Sequence, residues 1–442
     1  MNPLKVAFHT LGCKLNFSES STLARQLRQS GYEITGFDEV ADIYVIHSCT
    51  VTAVAEKKSR AAISQAHRRN PEAKVAVIGC YSELSAEKLR HLDGVDWVLG
   101  NEEKFNLTDF LTAVTPGSKF ISGTTAAVHP QPSEMTFHAA FSSGDRTRSF
   151  LKIQDGCDHF CTYCTIPYAR GRSRSATASA TLEVFRQAAA TGIREVVLTG
   201  VNIGDFGRKN GESLYDLLQL LDKEAPVGRI RISSIEPELL TDDIINLMAS
   251  SKVLMPHFHL PLQSGSDAIL QAMKRRYNAA LFAGRVSEIH AKMPHACIVA
   301  DVIVGFPGED DERFAETLQF LESLPLSGLH VFSFSSRPGT PAARYAGQVD
   351  AAIKKERSRL LQNLTTRKQN QFYNQCKGMA VNVLFESDNN NGFMSGFSEN
   401  YIRVKTAYNP TLINRVVPIE LQTRLRNGVY LYEPVITQQT YK

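Results

Sequence analysis

The chain has 442 residues, 43% of them hydrophobic and 21% charged, with a formal net charge of +4. Such a length exceeds one ordinary core and implies two or three domains of a soluble globular protein. No apolar run approaches the roughly 20 residues that a membrane helix needs, and the mild basicity permits nucleic-acid binding without arguing for it.

The start, M-N-P-L-K-V-A-F-H-T, is strand-like rather than a signal peptide, so a cytoplasmic location is expected. In that reducing compartment the eight cysteines are ligands, catalytic groups or buried thiols rather than disulfides. Short β-branched runs at 6–9, 43–47, 75–78 and 95–99 alternate with helical patterns at 20–30 and 55–69. This is the signature of a small α/β domain with a parallel sheet, placed at 1–112. Cys13, Cys49 and Cys80 each directly follow a predicted strand. Residues just beyond parallel strand ends converge on one edge, so the three thiols are either separate buried cysteines or ligands of one cluster. Their shared position favours the cluster, and Gly12 and Gly79 beside two of them permit close backbone approach.

A Gly-, Pro-, Ser- and Thr-rich stretch at 113–142 reads as a linker with an extended piece. From 143 to 373, strand candidates at 150–154, 195–199, 229–233, 257–260, 298–304 and 329–334 are each followed by a loop and a helical pattern. Six such units predict a partial (β/α)6 barrel, in which ligands bind at the carboxyl ends of the strands. Thr199-Gly200-Val201-Asn202, Ser233-Ser234-Ile235-Glu236-Pro237 and Gln263-Ser264-Gly265-Ser266 fall at those ends.

The same rim carries D-G-C-D-H-F-C-T-Y-C, a C-x3-C-x2-C triplet of Cys157, Cys161 and Cys164. Three thiolates leave one iron of a [4Fe–4S] cube without a protein ligand, open to a small molecule. A structural zinc loop is the alternative, but His159 lies too close in sequence to complete a tetrahedron. The last region, 374–440, begins after a long charged helical stretch at 353–374. Its short strands, separated by Asn, Gly and Pro, predict a small β-barrel. Cys297 and Cys376 lack ligand context and read as structural.

The triplet resembles the signature of radical S-adenosylmethionine (SAM) enzymes. The motifs in series, T-L-G-C-K-L-N, C-T-V-T, G-C-D-H-F-C-T-Y-C-T-I-P-Y-A-R-G, L-P-L-Q-S-G-S and D-V-I-V-G-F-P-G-E, resemble the methylthiotransferase family over nearly the whole chain. The terminal barrel is similar to the TRAM domain, an RNA-binding module. Cys49-Thr50-Val51-Thr52 followed by Lys58-Ser59-Arg60 is similar to the branch acting on N6-threonylcarbamoyladenosine in tRNA; His47-Ser48 departs from the commoner Asn-Thr.

That resemblance implies two [4Fe–4S] clusters, an auxiliary one on Cys13, Cys49 and Cys80 and a SAM-cleaving one on Cys157, Cys161 and Cys164. It implies SAM as methyl donor and radical source, and methylthiolation at C2 of adenosine 37 beside the anticodon. Tyr163 would lie against the adenine of SAM, Gly200 and Asn202 near its methionine, Ser234 and Glu236 near its ribose. Gln263 and Gly305 would flank the pocket. The implied partners are the tRNA anticodon stem-loop and a reductant such as flavodoxin or ferredoxin, with a monomer acting away from membranes. The run Arg170, Arg172 and Arg174 beside the triplet, with Arg403 and Lys405 on the barrel, suits RNA phosphates. Alternative readings are an isopentenyladenosine target, an aspartate of a ribosomal protein, and a non-catalytic zinc protein that binds RNA. Metal analysis of anaerobically purified protein separates the last from the rest. Two clusters require a brown, oxygen-sensitive protein with about eight irons; a colourless zinc protein would exclude them.

Overall fold

The computed structural model describes residues 3–113, 120–121, 134–144, 147–425 and 428–433. It is an α/β protein built on three sheet systems. In the first, Lys5–Thr10, Ile43–Ser48, Lys74–Gly79 and Trp97–Leu99 form a parallel sheet, flanked by Glu33–Thr35 on one edge and Phe120–Ile121 on the other. Ile43–Ser48 is buried along its whole length, because helices cover both faces of the sheet. The helices Lys14–Gln29 and Ala53–Arg69 begin directly after the first two long strands. Phe120–Ile121 is the extended piece of the expected linker, and it joins the first sheet. The rest of that segment up to residue 133 lies outside the described residues.

The strands Arg148–Lys152, Glu195–Thr199, Arg229–Ile232, His257–Gln263, Cys297–Val304 and Gly328–Ser333 run parallel in sequence order. They form two sheets, linked only by the bridges Ile230–Leu254 and Ser234–His259. The result is the expected partial barrel, edged by Ala140–Phe141 pairing antiparallel with the first strand. Leu151, Leu198, Phe258, Ala300 and the outer helices' Phe185, Phe282 and Leu321 make one continuous core. The long helix Ala351–Gln375 joins this core through Leu361 and Leu364. Its far end places Phe372 and Tyr373 against the last sheet.

That last sheet has six strands in the order Val416–Glu420, Ala380–Phe385, Phe393–Phe397, Arg403–Ala407, Tyr430–Leu431, Thr423–Arg424. It curls into a half-barrel rather than a closed barrel: among the described residues no pairing joins the two edge strands. The expected final strand at 428–436 is described only as Tyr430–Leu431 up to residue 433. Cys297 and Cys376 are buried in this region's core, away from both triplets. No helix among the described residues is long and apolar enough to cross a membrane.

The first sheet and the barrel are joined by a buried ionic network. Glu19, fully buried on the first helix, receives Lys104 Nζ at 2.7 Å, Lys152 Nζ at 2.9 Å and Arg170 Nη1 at 3.1 Å. Asp155 receives Arg170 at 2.9 Å, Lys152 at 3.1 Å and Arg174 at 3.3 Å. The cations hold both carboxyls well below the usual carboxylate range against the penalty of burial. Removing one carboxylate strands several cations in a dry interior. Glu19→Gln therefore lowers stability by about 3–5 kcal/mol, read from denaturant midpoints. A loss below about 1 kcal/mol, the range of exposed pairs, would mean that the network does not hold the halves together.

Candidate functional site

Cys13 caps the start of the first helix, Cys49 follows Ile43–Ser48, and Cys80 begins the helix Cys80–Arg90. All three stand at the carboxyl edge of the parallel sheet. Gly12 takes φ +95°, and a Cβ there would lie 2.9 Å from Cys49 Cβ, so only glycine lets these two loops touch. Asn16 ties the edge together: its Nδ2 donates to the carbonyls of Leu11 and Ser48, and its Oδ1 accepts from Arg170 Nη2 at 2.7 Å. Burial pushes the Cys49 thiol up to about 12, with Cys80 and then Cys13 adding to the rise. Cys80 is raised by burial too, opposed by Arg170 and Lys104. The three sulfurs thus share one electrostatic neighbourhood.

The second triplet lies on the loop after the first barrel strand. Phe160, inside that loop, takes φ +49°, a left-handed conformation that a bulky side chain rarely adopts. The backbone N–H groups of His159 and Ile166 donate to Cys157 Sγ and Cys164 Sγ, each at 3.4 Å. Arg275 Nη1 donates to Cys161 Sγ at 3.0 Å, and its other nitrogen pairs with Glu236. Burial pushes Cys164 up to about 12, with Cys161 adding to it. Burial likewise pushes Glu236 up to about 7, against the pull of Arg275.

Around this loop, buried polar atoms stand without hydrogen-bond partners among the described residues: Asn202 Oδ1, Asp205 Oδ1, which has Arg208 Nη1 at 3.6 Å, and both carboxylate oxygens of Glu238. His159 connects them, with Nε2 3.2 Å from Asn202 Nδ2 and Nδ1 3.7 Å from Glu238. Such orphaned groups fit a polar ligand seated on the loop. Of the expected SAM residues, Tyr163 packs edge-on against Phe306, and Gly200 abuts the Gln154 side chain, whose Oε1 accepts from the N–H groups of Val201 and Asn202. Ser234 sits at the bridge to His259, Gln263 takes φ +69° at its strand end, and the Gly305 N–H donates to Glu309. Arg275, Glu238 and Gln154 were missed in sequence: Arg275 reaches the site from a distant loop, while Glu238 and Gln154 adjoin the motifs at Glu236 and Cys157 without being part of them.

Residues adjoining both triplets line one cavity. A space of about 240 Å³ is lined by Val51 and Thr52, which follow Cys49, and by Tyr163, which precedes Cys164. Gln263, Asp301 and Phe334 complete it from the barrel. Thr52 caps the helix Ala53–Arg69, and Thr50 accepts from Arg337 Nη2 at 3.0 Å. The C-T-V-T motif thus clips the first sheet to the loop after the last barrel strand.

The arginine run requires correction. Arg170 is 1% exposed, with its guanidinium committed to Glu19, Asp155 and Asn16, so it cannot meet an RNA phosphate. Arg174 is likewise engaged, donating to the carbonyls of Thr136 and Arg170 and pairing with Asp155. Arg172 alone of the three keeps a half-exposed guanidinium, over the Phe160 ring. Arg403 and Lys405 share the outer face of their strand, where Arg403 also donates to Ser395 Oγ.

Comparison with known proteins agrees with this arrangement. The radical SAM superfamily matches residues 151–321, and a family described as Uncharacterized protein family UPF0004 matches 5–100. The chain is 36% identical over 422 residues to the threonylcarbamoyladenosine tRNA methylthiotransferase MtaB of Bacillus subtilis, covering 94% of this chain and 93% of the relative. It is 31% identical over 433 residues to the tRNA-2-methylthio-N(6)-dimethylallyladenosine synthase of Jannaschia, covering 96% and 93%. Among solved structures, the radical SAM methyltransferase TsrM of Kitasatospora setae matches with a TM-score of 0.56 at 14% identity, over 89% of this chain and 80% of that one, a likeness of fold.

Separate triplets make a separable prediction. Cys157→Ala and Cys13→Ala should each lower iron by about four atoms per chain, one cluster's worth. Only Cys157→Ala should abolish reductive SAM cleavage, followed as release of the deoxyadenosyl product. Thiolated product from Cys13→Ala protein would sink the auxiliary role of the first triplet.

Proposed function

Because this chain belongs to the radical SAM methylthiotransferase family, we propose that it methylthiolates C2 of N6-threonylcarbamoyladenosine at position 37 of tRNA. The product is 2-methylthio-N6-threonylcarbamoyladenosine. The observation that carries the reading is a single cavity lined by residues adjoining both triplets, Val51 and Thr52 after Cys49 and Tyr163 before Cys164. A reaction that needs a radical on one side and a sulfur source on the other needs such a shared space. The branch reading is supported by the C-T-V-T sequence and by the identity to the Bacillus subtilis relative, 36% against 31% for the dimethylallyl synthase.

Cys157, Cys161 and Cys164 would hold the SAM-binding [4Fe–4S] cluster, and Cys13, Cys49 and Cys80 the auxiliary one. The donor sets fit, since each offers three thiols whose charges act on one another, five of the six buried or half-buried and Cys13 exposed, and iron binding would displace their protons. Bound there, the clusters and SAM supply the one-electron chemistry, sulfur and methyl group that an unactivated C–H bond demands. The chain's own residues set the stage. Arg275 stabilises the Cys161 thiolate and orients Glu236. Asn202 and Glu238 offer the open hydrogen-bonding positions to SAM. Tyr163 with Phe306 and Phe334 supplies an apolar wall that excludes water from a reactive intermediate.

For the RNA, Arg172, Arg403 and Lys405 are the proposed phosphate contacts, on a half-barrel that serves as a TRAM-like module. Phe393, 43% exposed on that sheet, offers a stacking face. The proposal places the divisions at 1–112, 113–142, 143–373 and 374–440. It pairs the enzyme with a reductant such as flavodoxin or ferredoxin and has it act as a cytoplasmic monomer. Nucleoside mass spectrometry on tRNA from cells with and without the gene tests the substrate. Loss of the 2-methylthio nucleoside with build-up of its unthiolated precursor is expected. Disappearance of the isopentenyl form instead would overturn the branch.

A further inference from the structure

Besides the cavity lined by Thr52 and Tyr163, the barrel interior holds a second space of about 620 Å³, within the range of small-molecule sites. Its charged and imidazole lining is one-sided: Lys14, Arg148, Arg231, His257, His259 and His330, with no Asp or Glu among the described lining residues. The guanidiniums are already paired. Arg231 holds Glu195, and Arg148 holds Glu386 at 2.9 Å. Lys14 is not: half-buried, it has no hydrogen-bond or ion-pair partner among the described residues. His257 is 8% exposed, and its Nδ1 also lacks a partner. An unpaired ammonium beside two guanidiniums and an unsatisfied imidazole make a costly arrangement unless an anion completes it.

The space adjoins the chemistry. Gly12 and Lys14, which flank Cys13, form part of its wall. Asp301 lines the first cavity and accepts from His259 Nε2 at 2.6 Å and His330 Nδ1 at 3.0 Å, both of which line the second one. Asp301 thus stands between the two spaces. His259, Asp301 and His330 could by themselves hold a metal ion. The neighbouring ammonium and guanidiniums disfavour a cation there and favour an anion. In adenine, C2 and C6, the carbon that bears the exocyclic N6, flank the same ring nitrogen. A base whose C2 faces the triplets carries its N6 substituent alongside them.

We propose that this second cavity is the specificity subsite of the enzyme, and that it receives the carboxylate of the N6-threonylcarbamoyl group. Lys14 is its ion-pair partner, with His257 and His330 hydrogen-bonding around it. The inference rests on the substrate reading given above. An isopentenyl substituent, apolar and uncharged, would leave the same cations unmatched.

The test uses the reconstituted full-length enzyme and three anticodon stem-loops that differ only at residue 37: the threonylcarbamoyl nucleoside, its methyl ester and the isopentenyl nucleoside. Equilibrium binding and single-turnover methylthiolation are measured on each. Wild type is expected to prefer the free acid to the ester by about 10–100-fold, the worth of one charge-assisted hydrogen bond. Lys14→Met and His330→Gln should each narrow that ratio at wild-type iron content, and Lys14→Arg should restore it. Acid and ester used alike by wild type would overturn the subsite while the substrate reading stands. Equal losses on acid and ester in Lys14→Met would also overturn it, and would point to a backbone phosphate instead. Turnover of the isopentenyl RNA with none of the threonylcarbamoyl RNA would fell the substrate reading itself, and the subsite with it.

Discussion

The structure depends on Glu19. One carboxylate on the first helix of the first sheet gathers Lys104 from its own half and Lys152 and Arg170 from the barrel half. With Asp155 it makes two carboxylates shared by three fully buried cations, a group with excess positive charge. A buried ion cluster of this kind is weak evidence of added stability but strong evidence of a fixed geometry, because its members cannot exchange partners cheaply. Here that geometry sets how the cysteine edge of the first sheet faces the rim of the barrel. Arg170, which begins its reach just six residues beyond Cys164, ends against Asn16, three residues beyond Cys13. One guanidinium spans the two triplets.

The excess positive charge has a chemical consequence. Arg170 and Lys104 both pull the Cys80 thiol downward against the effect of burial. A thiolate-ligated cluster is anionic, and a buried anion needs nearby compensation. The network that joins the two halves therefore also offers the auxiliary cysteines a counter-charge. A second clip repeats the design at the opposite corner, where Arg337 from the barrel side bonds Thr50 and pairs with Glu56. The loop carrying Cys49 is thus held on both flanks.

Much of this was legible in sequence, for physical reasons. Cysteines in a short loop or at successive strand ends announce themselves by spacing, and the strands at 195–199 and 380–385 were bounded by abrupt changes in pattern. The fold class followed from strand and helix alternation. What sequence could not show was which charged residues would be buried. Arg170, Arg172 and Arg174 read alike as a basic run, yet one becomes the hub of the ionic network and only one stays half-exposed. Burial of a charge is decided by partners far along the chain, such as Glu19, 151 residues away. For the same reason Arg275, 114 residues from the sulfur it touches, carried no signal. The small β-barrel was legible because strand count is visible in sequence, whereas the edge pairing that makes it a half-barrel is not.

The edge that carries Cys13 and Cys49 leaves little room for variation, since Asn16 and Thr50 beside them are tied to the barrel half by Arg170 and Arg337. The inward positions of the barrel strands are different. His257 and His259 alternate with the core residues Phe258 and Leu260, and His330 stands two residues before the exposed Phe332. Such positions face a cavity on one side of a strand whose other side carries the packing. Changing them alters what the cavity can hold without disturbing the hydrophobic face. A family that performs one reaction on differently substituted adenosines can therefore vary its selectivity there, while the cluster edge stays constant. A carboxylate-bearing substituent then calls for a cation such as Lys14, which no carboxylate contacts directly among the described residues. The cost of keeping that cation unpaired is recovered only by the substrate that matches it.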